Sequence, residues 1–239
     1  MQMVNQGHLG GYIAGGDPST WCPRLWRWVA QDRGARSVLD VGCGEGHSTA
    51  FFRSLGCEVL GIDGFDQAIR DSVVPDAVKL HDFTSGPFAG DRRFDLVWSC
   101  EFLEHIGEEF LPNVLRSFQL ADKFVLVTHA FPGQPGHHHV NCRSTAYWIQ
   151  VLEGAGFTCD VGLTVAARRV TLTDLVEYPN HFARSGLVFR RTPLGAAAEA
   201  ALDYPAVIGA GSTPGLTARL RSFLIRARAK LDRRWQGRP

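Results

Sequence analysis

Short runs of consecutive apolar residues alternate with segments of helical periodicity along most of this chain. Continuous rather than alternating hydrophobicity is typical of parallel strands that are buried on both faces. The segments between the runs have the length and spacing of crossover helices. The chain is therefore predicted to form an α/β fold with a mostly parallel sheet and helices on both faces. The predicted strands are 38–41, 57–63, 77–83, 94–100 and 123–129, and the helices are 48–55, 65–73 and 108–117.

The chain continues through a loop rich in proline, glycine and histidine that ends near residue 141. A helix is predicted over 144–155, because Gly156 provides a stop signal. Two further strands are predicted over 158–164 and 186–191. The connection between them is long for a hairpin, so we expect residues 165–185 to form an inserted lid.

Two segments flank this predicted domain, which spans residues 35–192. Residues 1–34 combine a glycine-rich stretch with a short helix that has Trp21, Leu25, Trp28 and Val29 on one face. We expect the glycine-rich stretch either to form a flap over the site or to be an unstructured terminus. Residues 193–239 end in an amphipathic helix whose polar face is almost entirely arginine. That helix could pack on its own domain or a second subunit, bind an anionic membrane surface or, least of all, bind nucleic acid.

Composition limits the class of protein without specifying its chemistry. Hydrophobic residues make up 45% of the 239 residues, and the net charge of +1 gives no general attraction to nucleic acid. No apolar run approaches the roughly 20 residues of a membrane span, and the N-terminus has no secretory pattern. The six cysteines show no C-x-x-C spacing. We therefore expect reduced thiols in a cytoplasmic protein rather than disulfides or a zinc site.

The candidate chemistry begins where the first predicted strand ends, in the sequence Val-Leu-Asp-Val-Gly-Cys-Gly-Glu-Gly. Asp40 lies at the end of the strand. Gly42, Gly44 and Gly46 follow it, and a helix begins immediately afterwards. Glycine lets the backbone approach a ligand, and a helix N-terminus offers free N–H groups and the positive end of the helix dipole. This turn is therefore suited to hold a polar or negatively charged small molecule.

The glycine turn closely resembles motif I of the class I S-adenosylmethionine (SAM) methyltransferases. Its spacing differs from the dinucleotide fingerprint G-x-G-x-x-G, because His47 stands at the position of the third glycine. The resemblance implies a Rossmann-like seven-stranded sheet with an antiparallel last strand, and SAM as the cofactor. Asp63 ends the second strand at a spacing that suits the ribose hydroxyls, and the family places an adenine-binding side chain where Asp82 stands. The predicted cofactor-binding residues are Asp40, Gly42, Cys43, Gly44, Gly46, Asp63, Gly64, Asp82, Phe83 and Cys100.

Two histidine-bearing segments follow neighbouring strands and could act on the methyl acceptor. Methyl transfer needs an aligned nucleophile and often a group that takes its proton. Histidine is a natural base near neutral pH. We predict His105, in the sequence Glu-x-x-Glu-His, and His139, in the sequence Gly-His-His-His-Val-Asn, as catalytic residues. The predicted acceptor contacts are Tyr12, Glu101, His138, Trp148 and Tyr178.

The same segments also suit a divalent metal ion. In a helical turn Glu101, Glu104 and His105 would share one face, and His139 could complete the ligand set. This arrangement resembles that of the metal-dependent small-RNA 2′-O-methyltransferases and the ubiquinone-pathway O-methyltransferases. Methyltransferases that bind no metal also contain Glu-x-x-Glu-His. A metal site, a metal-free histidine site and simple helix capping therefore stay open.

Residues 7–192 resemble a bacterial and phage group of small class I methyltransferases, on segments 10–18, 98–105 and 132–141. Members of the group are often encoded among glycan or secondary-metabolite genes. We predict O-methylation of a small-molecule or sugar hydroxyl, because a histidine base favours a hydroxyl acceptor and no aromatic-rich basic stripe points to nucleic acid. A non-catalytic SAM-binding protein and an NAD-dependent enzyme are the alternatives. The histidine and acidic clusters argue against the first, and the glycine spacing argues against the second.

Overall fold

The computed structural model describes residues 3–5, 9, 11–173 and 180–192. Two short antiparallel strands come first, β1 (Met3–Asn5) and β2 (Gly11–Ile13). Helix α1 (Pro23–Arg27) follows and continues into a π-helical turn over Trp28–Asp32. Its buried stripe contains Leu25, Trp26 and Val29. Trp26, rather than the expected Trp21 or Trp28, is therefore the tryptophan that this helix buries.

A seven-stranded sheet forms the centre of the molecule. Its spatial order is β5-β4-β3-β6-β7-β9-β8. Strand β9 runs antiparallel to both of its neighbours, and all other pairs are parallel. The predicted Rossmann-like sheet, mostly parallel with an antiparallel last strand, is confirmed. The strands are β3 (Ser37–Val41), β4 (Glu58–Asp63), β5 (Val78–Leu80), β6 (Phe94–Ser99), β7 (Ala121–Val127), β8 (Phe157–Cys159) and β9 (Leu187–Arg191).

Helices cover both faces of the sheet, as the apolar strands require. The remaining helices are α2 (His47–Ser54), α3 (Asp66–Arg70), α4 (Leu111–Phe118), α5 (Thr145–Gly154), α6 (Val161–Thr171) and α7 (His181–Ser185). One apolar cluster contains Leu115 of α4 and Leu152 of α5. A second cluster contains residues of α1, α2, α6 and α7, including Phe52 and Phe182. The sheet is thus buried on two sides, which explains why its strands read as continuous apolar runs.

The strand predicted over 158–164 is wrong beyond Cys159. The side chain of Asp160 accepts a hydrogen bond from the Leu163 N–H (2.9 Å), so it caps the N-terminus of α6 and a helix begins there. Helix α6 buries Ala167 against the sheet, and Phe182 of α7 stacks on Trp98. The described part of the expected lid over 165–185 is therefore packed helix. Residues 174–179 and the predicted tail helix within 193–239 lie outside the described residues.

Among the residues that the structure describes, no helix has the length and apolar character needed to cross a membrane.

Candidate cofactor and acceptor site

A cavity of about 1030 Å³ is lined by residues that follow β3, β4, β5 and β6. Strand β3 lies at the point where the order of the chain reverses, with β4 and β5 on one side and β6 and β7 on the other. Loops after the strands diverge at such a point and leave a crevice, which is where open α/β sheets bind ligands. The cavity therefore has one end above β4 and β5 and a second end above β6 and β7.

The glycine turn forms the floor of this cavity. Gly42, Gly44 and Gly46 all have positive φ, between 53° and 80°, where other residues are strained. A side chain at Gly42 would collide with the ring of Phe102, because a Cβ would lie 2.5 Å from it. Gly46, predicted as a cofactor contact, is not among the residues that line the cavity. It packs instead on Val74, which fits the helix-packing function of the last glycine in such turns.

Asp63, at the end of β4, holds the turn in position. Its carboxylate accepts hydrogen bonds from the N–H groups of Gly44 and Phe65, both at 2.8 Å. Burial raises the pKa of Asp63, and these two hydrogen bonds partly oppose the shift. Asp63 also lines the cavity, beside Cys43 and Gly64. The acid predicted from its spacing is therefore placed between the glycine turn and the space a ligand would fill.

Asp40, which the sequence predicted to contact the cofactor, is bound mainly by side chains of helix α2. It is only 2% exposed, and its Oδ2 accepts hydrogen bonds from the hydroxyls of Ser48 (2.6 Å) and Thr49 (2.7 Å). Burial raises its pKa to about 6, although the two hydroxyls oppose the shift. Asp40 thus ties the end of β3 to the first turn of α2 while it still lines the cavity.

The far end of the cavity, above β4 and β5, contains the predicted adenine contacts. Strand β5 ends at Leu80, earlier than expected. Asp82 accepts a hydrogen bond from the Thr84 N–H (2.8 Å) in the turn that follows. Phe83 is buried and packs edge-on against Phe102 with ring centroids 5.6 Å apart. Every predicted cofactor residue except Gly46 lines the cavity.

The described part of the N-terminal segment packs across this end of the cavity. The Tyr12 ring meets Phe65 edge-on at 5.3 Å, and its hydroxyl donates to Asp71 (3.2 Å). The Gly15 N–H donates to Glu45 in the glycine turn (3.0 Å). These contacts hold Tyr12 and Gly15 over this end of the cavity.

The end of the cavity above β6 and β7, which we call the acceptor end, brings together Glu104, His105 and His139. One possible ligand atom of each residue lies within 4.8 Å of the others. Glu104 is fully buried, and neither of its carboxylate oxygens has a hydrogen-bond partner among the described residues. Burial and the nearby charge of Glu101 raise its pKa well above the usual range. Burial, followed by the neighbouring His139, lowers the pKa of His105 to about 4. Because its pKa is low, His105 does not supply a positive charge beside Glu104.

Glu101 lies outside the helical turn that carries Glu104 and His105, so the predicted common helical face is wrong. Its φ of 52° takes it out of the helical turn, which covers only Leu103–His105. Thr128 holds Glu101 in this strained conformation through the Glu101 N–H (2.7 Å) and carboxylate Oε1 (2.9 Å). The other carboxylate oxygen, Oε2, lies 3.1 Å from Nδ1 of His181.

Sequence reasoning missed two residues of this end, Asp17 and His181. Nε2 of His181 lies 3.4 Å from Oδ2 of Asp17, and both residues line the cavity. They come from opposite ends of the domain, and no spacing rule connects them. His138, predicted as an acceptor contact, lines the cavity with a strained φ of 52°.

Trp148 is wrong as an acceptor contact. It is fully buried in α5, packs in the apolar cluster beneath the sheet and does not line the cavity. Helix α5 directs Trp148 towards the sheet, so its side chain packs in the apolar cluster and not against a ligand. Tyr178 lies outside the described residues.

Residues 15–127 match the family model described as a methyltransferase domain. A solved sugar N-methyltransferase from a Streptoalloteichus species is similar in structure, with a TM-score of 0.56 and 17% identity, over 81% of this chain and 98% of that one. The magnesium protoporphyrin IX methyltransferase of Synechocystis, solved with bound S-adenosylhomocysteine (SAH), has a TM-score of 0.51 and 17% identity, over 70% and 80%. The fold is that of the SAM-dependent methyltransferases.

Two curated relatives match part of this chain. Tocopherol O-methyltransferase of Arabidopsis thaliana is 31% identical over 110 residues, which cover 41% of this chain and 31% of the relative. Malonyl-[acyl-carrier protein] O-methyltransferase of Pseudescherichia vulneris is 37% identical over 71 residues, 28% of each protein. The chain thus spans less than a third of the length of either relative.

Proposed function

We propose that this protein is a SAM-dependent methyltransferase that methylates a hydroxyl group of a small molecule or sugar. The observation that carries the proposal is the glycine turn, which Asp63 fixes at the point where the strand order reverses. The turn, the acids after β4 and β5, and the covering N-terminal segment provide a binding space for the cofactor. Both curated relatives are named as O-methyltransferases, which supports oxygen as the methylated atom.

The strand order supports different ligands at the two ends of the cavity. The residues after β4 and β5 suit the adenosine half of SAM, so the acceptor would enter at the end above β6 and β7. Histidines and carboxylates collect at that end, where a proton must leave the acceptor hydroxyl. His105 is a weak base, because its pKa is about 4. That low pKa argues against His105 as the group that takes the proton.

A metal-dependent O-methyltransferase is the second candidate, and Glu104 favours it. A fully buried carboxylate without a partner is costly, and a bound cation would remove that cost. Glu104, His105 and His139 would hold a divalent cation, which would supply positive charge to polarise the acceptor hydroxyl. Each residue offers a ligand type that Mn²⁺ or Zn²⁺ accepts.

Transfer of a labelled methyl group from SAM to a panel of phenols and sugars tests the proposed function. We expect at least one hydroxyl compound to be labelled, and labelling only of amines would contradict oxygen as the target. Repeating the assay after chelation separates the two candidates. Calorimetric titration with Mn²⁺ gives a second test, because Glu104→Gln should abolish binding only if the cluster holds metal. Unchanged activity in chelator together with no Mn²⁺ binding would refute the metal-dependent candidate.

A further inference from the structure

Acidic side chains dominate the lining of the whole cavity. Eight aspartates and glutamates line it, whereas Arg143 is the only lysine or arginine among the lining residues that the structure describes. Half of the acids lie beside the glycine turn and after β4 and β5, where SAM would bring its positive sulfonium and ammonium groups. The other half lie at the acceptor end, and these are Asp17, Glu101, Glu108 and Glu109. The positive charges of the cofactor therefore leave the acids of the acceptor end unbalanced.

The single arginine does not make this end attractive to an anion, because Glu108 already neutralises it. Nη2 of Arg143 donates to Oε2 of Glu108 (2.6 Å), and the Tyr147 hydroxyl donates to Oε1 of the same carboxylate (2.9 Å). Nε of Arg143 donates to Oδ1 of Asn141 (3.1 Å), and its guanidinium lies 5.3 Å from the centre of the Tyr147 ring. Arg143 and Glu108 thus form a fixed pair that adds no net charge to the cavity.

Asp17 and Glu101 share one imidazole between their two carboxylates. Oδ2 of Asp17 lies 3.4 Å from Nε2 of His181, and Oε2 of Glu101 lies 3.1 Å from Nδ1. An imidazole carries at most one positive charge, whereas the two carboxylates carry two negative charges. This group of three side chains therefore keeps at least one negative charge in either protonation state of His181.

Glu109 adds a negative charge that no described residue balances. It is exposed, it lines the cavity, and its carboxylate has no hydrogen-bond or ion-pair partner within the described ranges. Gly107, which also lines the cavity, makes room for this carboxylate, since a Cβ at residue 107 would lie 2.7 Å from Oε2 of Glu109. The Glu109 carboxylate is therefore folded back over the wall of the acceptor end and is free to bind a cation.

Glu104 gives an independent indication that this end lacks a positive charge. It is fully buried beside His105 and His139, and neither of its oxygens has a hydrogen-bond partner in the part of the chain that the structure describes. A buried carboxylate is costly unless a proton or a cation accompanies it. A positively charged ligand at the acceptor end would reduce this cost as well as balance the acids that line the cavity.

We propose that the acceptor is a hydroxyl compound that also carries a protonated amine, and that Glu109 binds this ammonium group. An amino sugar, an amino polyol or a phenol with an aminoalkyl side chain belongs to this class. A cleft lined by one sign of charge concentrates ligands of the opposite sign and speeds their association. An acceptor that carries a carboxylate or phosphate would instead meet uncompensated negative charge. This inference rests on the proposed function and specifies the charge of the acceptor.

Two series of hydroxyl compounds that differ in charge test the proposal in the full chain saturated with SAH. The phenols are tyramine, 4-ethylphenol and 4-hydroxyphenylacetate, and the polyols are N-methylglucamine, sorbitol and gluconate. Binding is measured by saturation-transfer NMR in the presence of chelator at about pH 8, where histidine is ordinarily neutral and both amines are charged. We expect the cation of at least one series to bind about threefold or more tightly than its neutral analogue, and the anion to bind most weakly. Absence of this order in both series, including no binding of either cation, would overturn the proposal.

Glu109→Gln tests the proposed anchor, with Asp91→Asn as the matched control. Asp91 is exposed and is not among the residues that line the cavity, so the control changes the net charge equally at a different place. Glu109→Gln should weaken binding of the preferred cation about threefold and reduce its dependence on salt between about 0.01 and 0.15 M, while the neutral analogue is unaffected. Asp91→Asn should bind all compounds as the wild type does. Equal effects of the two variants would contradict the function of Glu109.

Failure of this inference differs from failure of the proposed function. If neither SAM nor SAH binds the wild-type protein, the proposed function fails. If SAH binds and the charge order is absent, the inference alone is wrong. Methylation of the amine in a bound cation, with its hydroxyl unchanged, would support the charge preference and contradict oxygen as the methylated atom.

Discussion

Replacement of Gly42 by alanine should damage the glycine turn far more than the same change at Gly56. Both glycines have left-handed backbones, with φ of 75° and 83°. An alanine at either site therefore costs about 1–2 kcal/mol in backbone strain. At Gly56 an added Cβ meets nothing within 4 Å, so the strain is the whole expected cost.

At Gly42 the new Cβ would also lie 2.5 Å from the ring of Phe102. That ring cannot turn aside freely, because it packs against Phe83, which is itself buried. Overpacking of this kind costs a further 1–3 kcal/mol or so. The total for Gly42→Ala is therefore roughly 2–5 kcal/mol. If the glycine turn moves to relieve the clash with Phe102, part of the cost appears as weaker ligand binding. A cost of about 1.4 kcal/mol corresponds to a tenfold lower affinity.

Urea unfolding and calorimetric titration with SAM measure the two effects on both variants. We expect Gly42→Ala to lose more unfolding free energy than Gly56→Ala and to bind SAM at least about tenfold more weakly. Gly56→Ala should bind SAM as the wild type does. Equal losses of unfolding free energy in the two variants, with unchanged SAM affinity in both, would refute the steric reasoning.

Three further predictions concern Asp40, Asn180 and Tyr12. Because the pKa of Asp40 is about 6 in the folded protein and about 4 in an unfolded chain, the folded state binds more protons between these values, and its stability falls as pH rises from 4 to 6. Asp40→Asn should remove about 2–3 kcal/mol of that fall. An equal change in unfolding free energy between pH 4 and pH 7 in the wild type and the variant would contradict this prediction. Asn180→Ala should cost about 1–2 kcal/mol of unfolding free energy, since two N–H groups of α7 lose their cap, and Asn180→Asp should restore only the cap, because the amide that donates to the Trp21 carbonyl is lost. Tyr12→Phe should change SAM affinity little, because the ring contact with Phe65 remains, while Tyr12→Ala should weaken it; equal affinities in both variants would argue against a flap.

The sequence was most informative where local pattern and burial agree. Strand β6 is buried along nearly its whole length, so its apolar run was recognisable. Asp63 was recognisable because the acid follows the glycine turn at the spacing of a βαβ unit. These features depend on neighbours within one supersecondary unit, which a single sequence displays.

Errors arose where a capping group or a distant contact decided the structure. Residues 158–164 alternate between polar and apolar in part, but Val161 is 67% exposed because the Asp160 cap starts a helix there. The contact between Asp17 and His181 depends on how α7 returns to the N-terminal segment. Glu101 left the expected helical face because Thr128, on the neighbouring strand end, fixes a positive φ. The two long-range contacts, Asp17 with His181 and Glu101 with Thr128, leave no periodic signal in the sequence.

Calorimetric titration of the full chain with SAM and with NAD tests the central claim most directly. We expect SAM to bind with a stoichiometry of one and NAD to give no binding heat. Asp63→Asn should weaken SAM binding at least about tenfold, because a hydrogen bond to a charged group contributes about 1.5–3 kcal/mol. Binding of NAD without binding of SAM, or SAM affinity that is unaffected by Asp63→Asn, would contradict the assignment of this cavity as a SAM site.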